Sequence, residues 1–577
     1  MGPARTSCLI LIVLAAVFLT GTAAAFIINN DFGRLEVKTV AILDGDHYIS
    51  GVLYRPNAAT EENPSPAVVL VHGISSAKES MSSIALELAR RGFVTLSIDV
   101  VGHGDSGGRL GATRDPSLGA IAALRHVETL PYVDASSLGL VGHSLGAGAA
   151  RATAAAHREV KATVLIAGGL GGMASNQLAY GVMNTTFPRN LLVAIGRQDV
   201  LFNLNQVAGE WLPPVFGVPE VSPGRLYGDF NFGTARKLVA PATTHLLEPL
   251  DPTIVSETVV WMSSALQPSE AGRAGQLDEG LTYPYRETAM LLSIFSLVGL
   301  TFPVSTFILP RGLSNRRTAG VEHGCLKDWK IMVVWGTLSV ALLLPTFLLG
   351  FSLPFPPVLF GSSIAWWLLM VAIAGSLLIR FIVPRFSGGR LRIRTLASES
   401  FAWRETCAAI SLFFTLYIIV YLIDLLLGMN LWVFVPIFKV LRTAERITLF
   451  LIFIPFFLIF FYVEGIYLHA LRGGSGKNGF VSEALSMGRT IWIKIAPYVL
   501  IMGVQYIPMF LLEVKLLTSF LGFLIEFLPL ITVQFIISTS CSWWLHRLTS
   551  SIVTGTVFNA LLFAWVSAGV FPFGALG

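Results

Sequence analysis

Gly142-His143-Ser144-Leu145-Gly146 is a G-x-S-x-G sequence, the spacing that lets a nucleophilic serine stand on a sharp strand-to-helix turn. In a chain with 54 glycines the five letters alone carry little weight. Their setting carries more. An apolar run, Leu138–Val141, leads into them, and a helical pattern, Leu145–His157, follows. Small residues at 142, 146 and 148 leave room for a strained turn, and a helix N-terminus behind Ser144 offers N–H groups to developing negative charge. A serine so placed needs a base and an acid, following it in the order acid then histidine. Asp199 comes after the apolar run Leu191–Ile195, and His245 comes just after Lys237–Val239. Both fall beyond the carboxyl ends of expected strands, where open α/β sheets place their sites. Together Ser144, Asp199 and His245 could carry out acyl transfer. The N–H groups of Ile74, after the strand at 67–71, and of Leu145 would be the oxyanion donors.

Alternating strand and helix patterns over residues 34–265 would position these groups. Residues 34–43 and 48–54 alternate polar and apolar as a hairpin does. Residues 67–71 form a continuous apolar run, as in a strand buried on both faces. Further strands are expected at 93–98, 138–141, 162–166, 191–195 and 237–239, with helices at 79–91, 118–130, 145–157 and 254–265. Such alternation implies a mostly parallel sheet of eight strands wrapped by helices, its first two strands antiparallel. The segments 169–187 and 201–232 are expected to cover the site.

Several motifs resemble the α/β-hydrolase superfamily, nearest to its serine-aminopeptidase, monoglyceride-lipase and dienelactone-hydrolase-like branches. They are Leu53-Tyr54-Arg55-Pro56, Val71-His72-Gly73, Asp99-Val100-Val101-Gly102-His103-Gly104-Asp105-Ser106-Gly107, Gly142–Gly146, Gly196–Asp199 and His245. The resemblance covers residues 47–265, under half the chain. It implies hydrolysis of an ester, thioester or amide without fixing the substrate. In that family the loop holding His103 is structural, so His103 is not expected to be catalytic.

The rest of the chain is of another kind. It helps to make the whole 54% hydrophobic and only 13% charged. About eight segments from residue 286 onward are long enough to cross a bilayer, near 288–309, 330–352, 358–383, 406–428, 447–470, 490–512, 516–540 and 550–573. The expected organisation is a signal anchor or signal peptide over 1–29, an α/β domain over 30–265, a linker over 266–285 and an all-α transmembrane bundle over 286–577. The bundle resembles no family.

Basic residues gather in the loops 310–330, 380–404 and 471–489, which the positive-inside rule assigns to the cytoplasmic side. The 30–265 domain is then extracytoplasmic. Lys439, Arg442 and Arg446 break the pattern on the outer side, and residues 431–446 are expected to form an interfacial helix unless the count of spans is off by one there. The net charge of +5 is explained by these loops rather than by nucleic-acid binding. The four cysteines, Cys8, Cys325, Cys407 and Cys541, form no metal-binding spacing, and neither cofactor nor metal is called for.

The expected function is that of a membrane-bound serine hydrolase acting on a small-molecule or lipid-like acyl substrate. The alternatives are an acyltransferase, or a transporter or lipid-handling protein whose outer domain only binds or regulates. Asp424, Glu464 and Glu526, acids within apolar spans, would be the polar stations of a transporter.

Overall fold

The computed structural model describes residues 3–112, 115–170, 180–267, 280–309, 328–353, 355–381, 403–433, 435–470 and 480–574. Helix α1 (Pro3–Asn29) leads directly into strands β1 (Leu35–Asp44) and β2 (His47–Pro56). The sheet continues through β3 (Ser65–Val71), β4 (Val94–Ile98), β5 (Val133–His143), β6 (Ala162–Ile166), β7 (Leu191–Ala194), β8 (Leu226–Tyr227) and β9 (Arg236–Val239). Its spatial order is β1-β2-β4-β3-β5-β6-β7-β9-β8. The run from β4 to β9 is parallel, while β1, β2 and β8 join antiparallel. The expected eight strands are present. The ninth, β8, has two residues, too few to show a pattern in sequence.

Strands β3 and β4 are buried almost throughout because helices cover both faces of the sheet. Helices α2 (Ser82–Ala89) and α5 (Pro252–Leu266) cover one face, and α3 (Ala120–Glu128) and α4 (Leu145–Ala156) cover the other.

Beyond residue 280 the chain is helical: α6 (Tyr283–Ile308), α7 (Asp328–Ser352), α8 (Gly361–Phe381), α9 (Trp403–Leu427), α10 (Ala444–Gly465), α11 (Phe480–Leu511), α12 (Ser519–Glu526), α13 (Leu528–Thr549) and α14 (Ile552–Val570). Including α1, nine helical segments among the described residues are long and apolar enough to cross a membrane, α12 and α13 counting as one. Helix α14 is enclosed by the others along nearly its whole length. Helix α1 packs closely on α6: a Cβ on Gly21 would lie 2.7 Å from Ser293 Oγ, and Thr22 Oγ1 donates to Ser293 Oγ.

Most of the expected linker, nearly all of the basic loops 310–330 and 380–404, and the first half of 471–489 lie outside the described residues; residues 480–489 begin helix α11. Where the chain re-enters at Thr282 and Tyr283, both N–H groups donate to Glu87 Oε1, at 2.6 and 2.8 Å.

The segment 431–446 is not an interfacial helix. It holds a hairpin, Leu431–Val433 with Val435–Phe438, packed against the N-terminal domain. Lys439 lies within 3.6 Å of Glu79, Asp99 and Asp105, and Arg446 donates to the carbonyls of Gly102 and Gly104. These cations break the charge pattern because they neutralise acids and cap carbonyls of the α/β domain.

Candidate active site

Strand β5 carries the chain to His143 at the carboxyl edge of the sheet, and α4 starts at Leu145. Between them Ser144 takes φ 53° and ψ −116°, a conformation that side chains other than glycine rarely adopt. The residues two before and two after it must be glycine. A Cβ on Gly142 would come within 2.2 Å of Gly146 O, and one on Gly146 within 2.3 Å of Val71 O. The turn lifts a half-buried Ser144 out of the sheet.

The structure brings the three expected site residues together. Ser144 Oγ lies 3.0 Å from His245 Nε2, and His245 Nδ1 lies 2.9 Å from Asp199 Oδ2. Asp199 is aimed by its other oxygen, which accepts from the N–H groups of Leu201 and Phe202 at 2.7 and 3.1 Å. Phe202 also stacks on the His245 ring, with centroids 6.3 Å apart. Burial disfavours a charged His245, but the Asp199 carboxylate outweighs it, so the ring binds its proton more tightly than an ordinary histidine. The N–H of Leu145 opens α4 and has no intrahelical acceptor. Ile74 lines the same pocket as Ser144 and His245.

Two supporting residues escape sequence reasoning because nothing in their spacing sets them apart. Glu248, fully buried, accepts from Gly196 N–H at 2.6 Å. Burial and the adjacent Asp199 push its carboxyl well above the usual range. His143 Nε2 lies 3.1 Å from the carbonyl of His245 and fixes that backbone. Burial pushes the His143 ring well below the usual histidine range. His103 is buried, accepts from Ser75 N–H at 3.3 Å and lies beside the carbonyl of Val101.

The loop from Asp99 to Gly107 carries no group of the triad. Asp99 and Asp105 both pair with buried Lys78, at 2.6 and 2.7 Å.

Residues 62–206 match the family described as serine aminopeptidase, S33. This region has an α/β-hydrolase-like sheet with flanking helices. The match includes Ser144 and Asp199 and ends before His245. Over 118 residues the chain is 33% identical to the uncharacterized protein YcjY of Escherichia coli (strain K12), an alignment spanning 20% of this chain and 39% of that protein. The chain thus covers about two fifths of that relative's length. Among solved structures, the esterase Pf2001 of Pyrococcus furiosus is 19% identical, with 40% of this chain aligned to 91% of that one at a TM-score of 0.31. The hypothetical protein PA2218 of Pseudomonas aeruginosa is 16% identical, with 40% of this chain aligned to 94% of that one at a TM-score of 0.30.

The α/β domain meets the helical bundle at the edge that carries Ser144 and His245. Phe523 of α12 and Phe527 line the Ser144 pocket, and the Phe523 ring stands edge-on to His245 with centroids 5.5 Å apart. Lys515, between α11 and α12, donates to the carbonyls of Asp199 and Phe202. The expectation that segments 169–187 and 201–232 cover the site is corrected for its described part: apart from Phe202, the aromatic cover comes from the bundle. One apolar cluster joins the hydrolase sheet to Phe347, Phe360, Phe523 and Leu524 of the bundle.

Proposed function

We propose that the protein is a membrane-bound serine hydrolase that cleaves an ester, thioester or amide through an acyl-enzyme on Ser144. The observation that carries this reading is the unbroken hydrogen-bond chain from Asp199 through His245 to Ser144 Oγ at a strained strand–helix turn. His245 takes the serine proton as Oγ attacks the substrate carbonyl. Asp199 fixes the ring and stabilises the imidazolium. The N–H groups of Ile74 and Leu145 receive the oxyanion. His245 then gives its proton to the leaving group, and water, activated by the same ring, releases the acid.

Nine membrane-length helices among the described residues support an integral membrane location. The basic inner loops support an extracytoplasmic hydrolase domain. The close seating of α1 on α6 favours a retained anchor over a cleaved signal peptide. The transporter reading loses support because two of its three candidate acids are paired: Asp424 with Arg442, and Glu464 with Lys494.

A fluorophosphonate probe applied to the full-length protein in detergent tests the assignment. Wild type should be labelled and Ser144→Ala should not; equal labelling of the two would overturn it. A panel of esters, thioesters and amides, with free acid and transferred acyl product measured separately, then distinguishes hydrolase from acyltransferase.

A further inference from the structure

We propose that the bundle holds the acyl chain of a membrane lipid ester in an apolar cavity that leads from the bilayer to Ser144. This rests on the serine-hydrolase reading above and names its substrate class. The cavity lies directly behind the catalytic pocket and encloses about 300 Å³, within the range of small-molecule sites. Phe527 is a wall of both spaces, standing between Ser144 and His245 on one side and Leu528 and Ile531 on the other. Of the residues around the cavity only Gln534 and Ser567 are polar, so a chain inside it would have almost no hydrogen-bonding partners.

Its depth suits one leaflet. The wall contributed by α13 runs from Phe527 to Ile537, a rise of about 15 Å along a helix, half of a ~30 Å hydrocarbon core. That wall begins at the hydrolase end of the bundle. The rim faces outward: Leu291 and Phe295 on α6 and Val533 on α13 are 38%, 59% and 44% exposed, on helices that read as membrane spans. An opening there faces lipid tails, not water. A glyceride or other lipid ester can therefore enter sideways, keep its chain between α6 and α13, and bring its carbonyl past the edge of Phe527 to Ser144. The chain class follows from the wall chemistry; the headgroup stays toward the hydrolase domain.

The test uses full-length protein in lipid nanodiscs and a fluorophosphonate with a long alkyl chain that ends in a diazirine. Ser144 Oγ displaces fluoride from phosphorus while His245 takes its proton, which fixes one end of the probe. Illumination then inserts the other end into whatever lies beside it. Insertions within 291–298 and 524–537 are expected. An adduct on Ser144 with insertions confined to the hydrolase domain or to lipid would overturn the cavity while leaving the serine assignment intact. No adduct on Ser144 would overturn both. Ile531→Trp, which fills the cavity, should lower the ratio of kcat/KM for long-chain over short-chain esters by about tenfold. An unchanged ratio would count against the proposal.

Discussion

Glu526, the last residue of α12 in the helical bundle, accepts a hydrogen bond at 3.1 Å from the backbone N–H of Leu246, the residue after His245. A membrane-side carboxylate thereby reaches the backbone of the hydrolase's histidine. It does more than hold the loop, because its negative charge also favours the imidazolium form of His245.

That contact sets a pH dependence. His245 must be neutral to accept the Ser144 proton, so kcat/KM should rise with pH through a value above the ordinary histidine range of about 6.5. Asp199 is the main cause of the upward displacement, and Glu526 adds to it. Glu526→Gln keeps an acceptor for Leu246 N–H and removes the charge. The acid limb should then move to lower pH, because a charge that favours the imidazolium is gone. A pH–rate profile with the limb unmoved would reduce Glu526 to a structural tether.

Lys439 is another bond between the two halves. It stands 3.2 Å from Asp105 and 3.4 Å from Glu79, buried beside the Lys78–Asp99 pair. Lys439→Met would leave three buried carboxylates facing one lysine. Removing one partner from such a cluster costs about 3–5 kcal/mol, so a clear drop in the thermal midpoint in detergent is expected. Adding Asp105→Asn should restore part of that loss. If the double variant is no more stable than the single one, charge imbalance is not the cause.

What could be read from the sequence divides along physical lines. Ser144, Asp199 and His245 were legible because each follows an apolar strand run at the carboxyl edge of a sheet, and that signal is local. The places of Glu526, visible only as an acid within a span, and of Lys515 beside this site were not, since their partners Leu246 and Asp199 lie 280 and 316 residues away. Hydropathy marks their surroundings only as spans. Lys439 and Arg446 were visible as an exception to the charge rule, but the acids and carbonyls they meet belong to another domain. The hairpin at 431–438 was hidden because its short apolar run suits a strand or an interfacial helix equally well.

Sidedness can be decided by labelling. The charge asymmetry puts the loop 380–404 inside and the hydrolase domain outside. On a background freed of native cysteines, Glu62→Cys in intact cells should react with an impermeant maleimide, and Ser387→Cys should react only after permeabilisation. The reverse pattern would invert the topology.

Cutting the chain after residue 267 provides the strictest test of how far the hydrolase depends on the bundle. A soluble domain would keep Ser144, Asp199 and His245, and by that inventory alone it should cleave small esters. The packing argues otherwise. Phe523, Phe527, Lys515 and Glu526 would be lost from around the triad, and the apolar cluster shared with Phe347, Phe360 and Leu524 would open to water. At about 25 cal/mol per Å², uncovering even a few such side chains removes a large part of the 5–15 kcal/mol that holds a typical domain folded. The fragment 30–267 is therefore expected to aggregate, or to lose at least about tenfold in kcat/KM on short esters relative to the full chain, the loss of roughly 1.4 kcal/mol of transition-state stabilisation. Expression of the fragment with a fluorophosphonate rate and a thermal midpoint equal to those of the full-length protein would show that the bundle serves the substrate and not the catalytic domain itself.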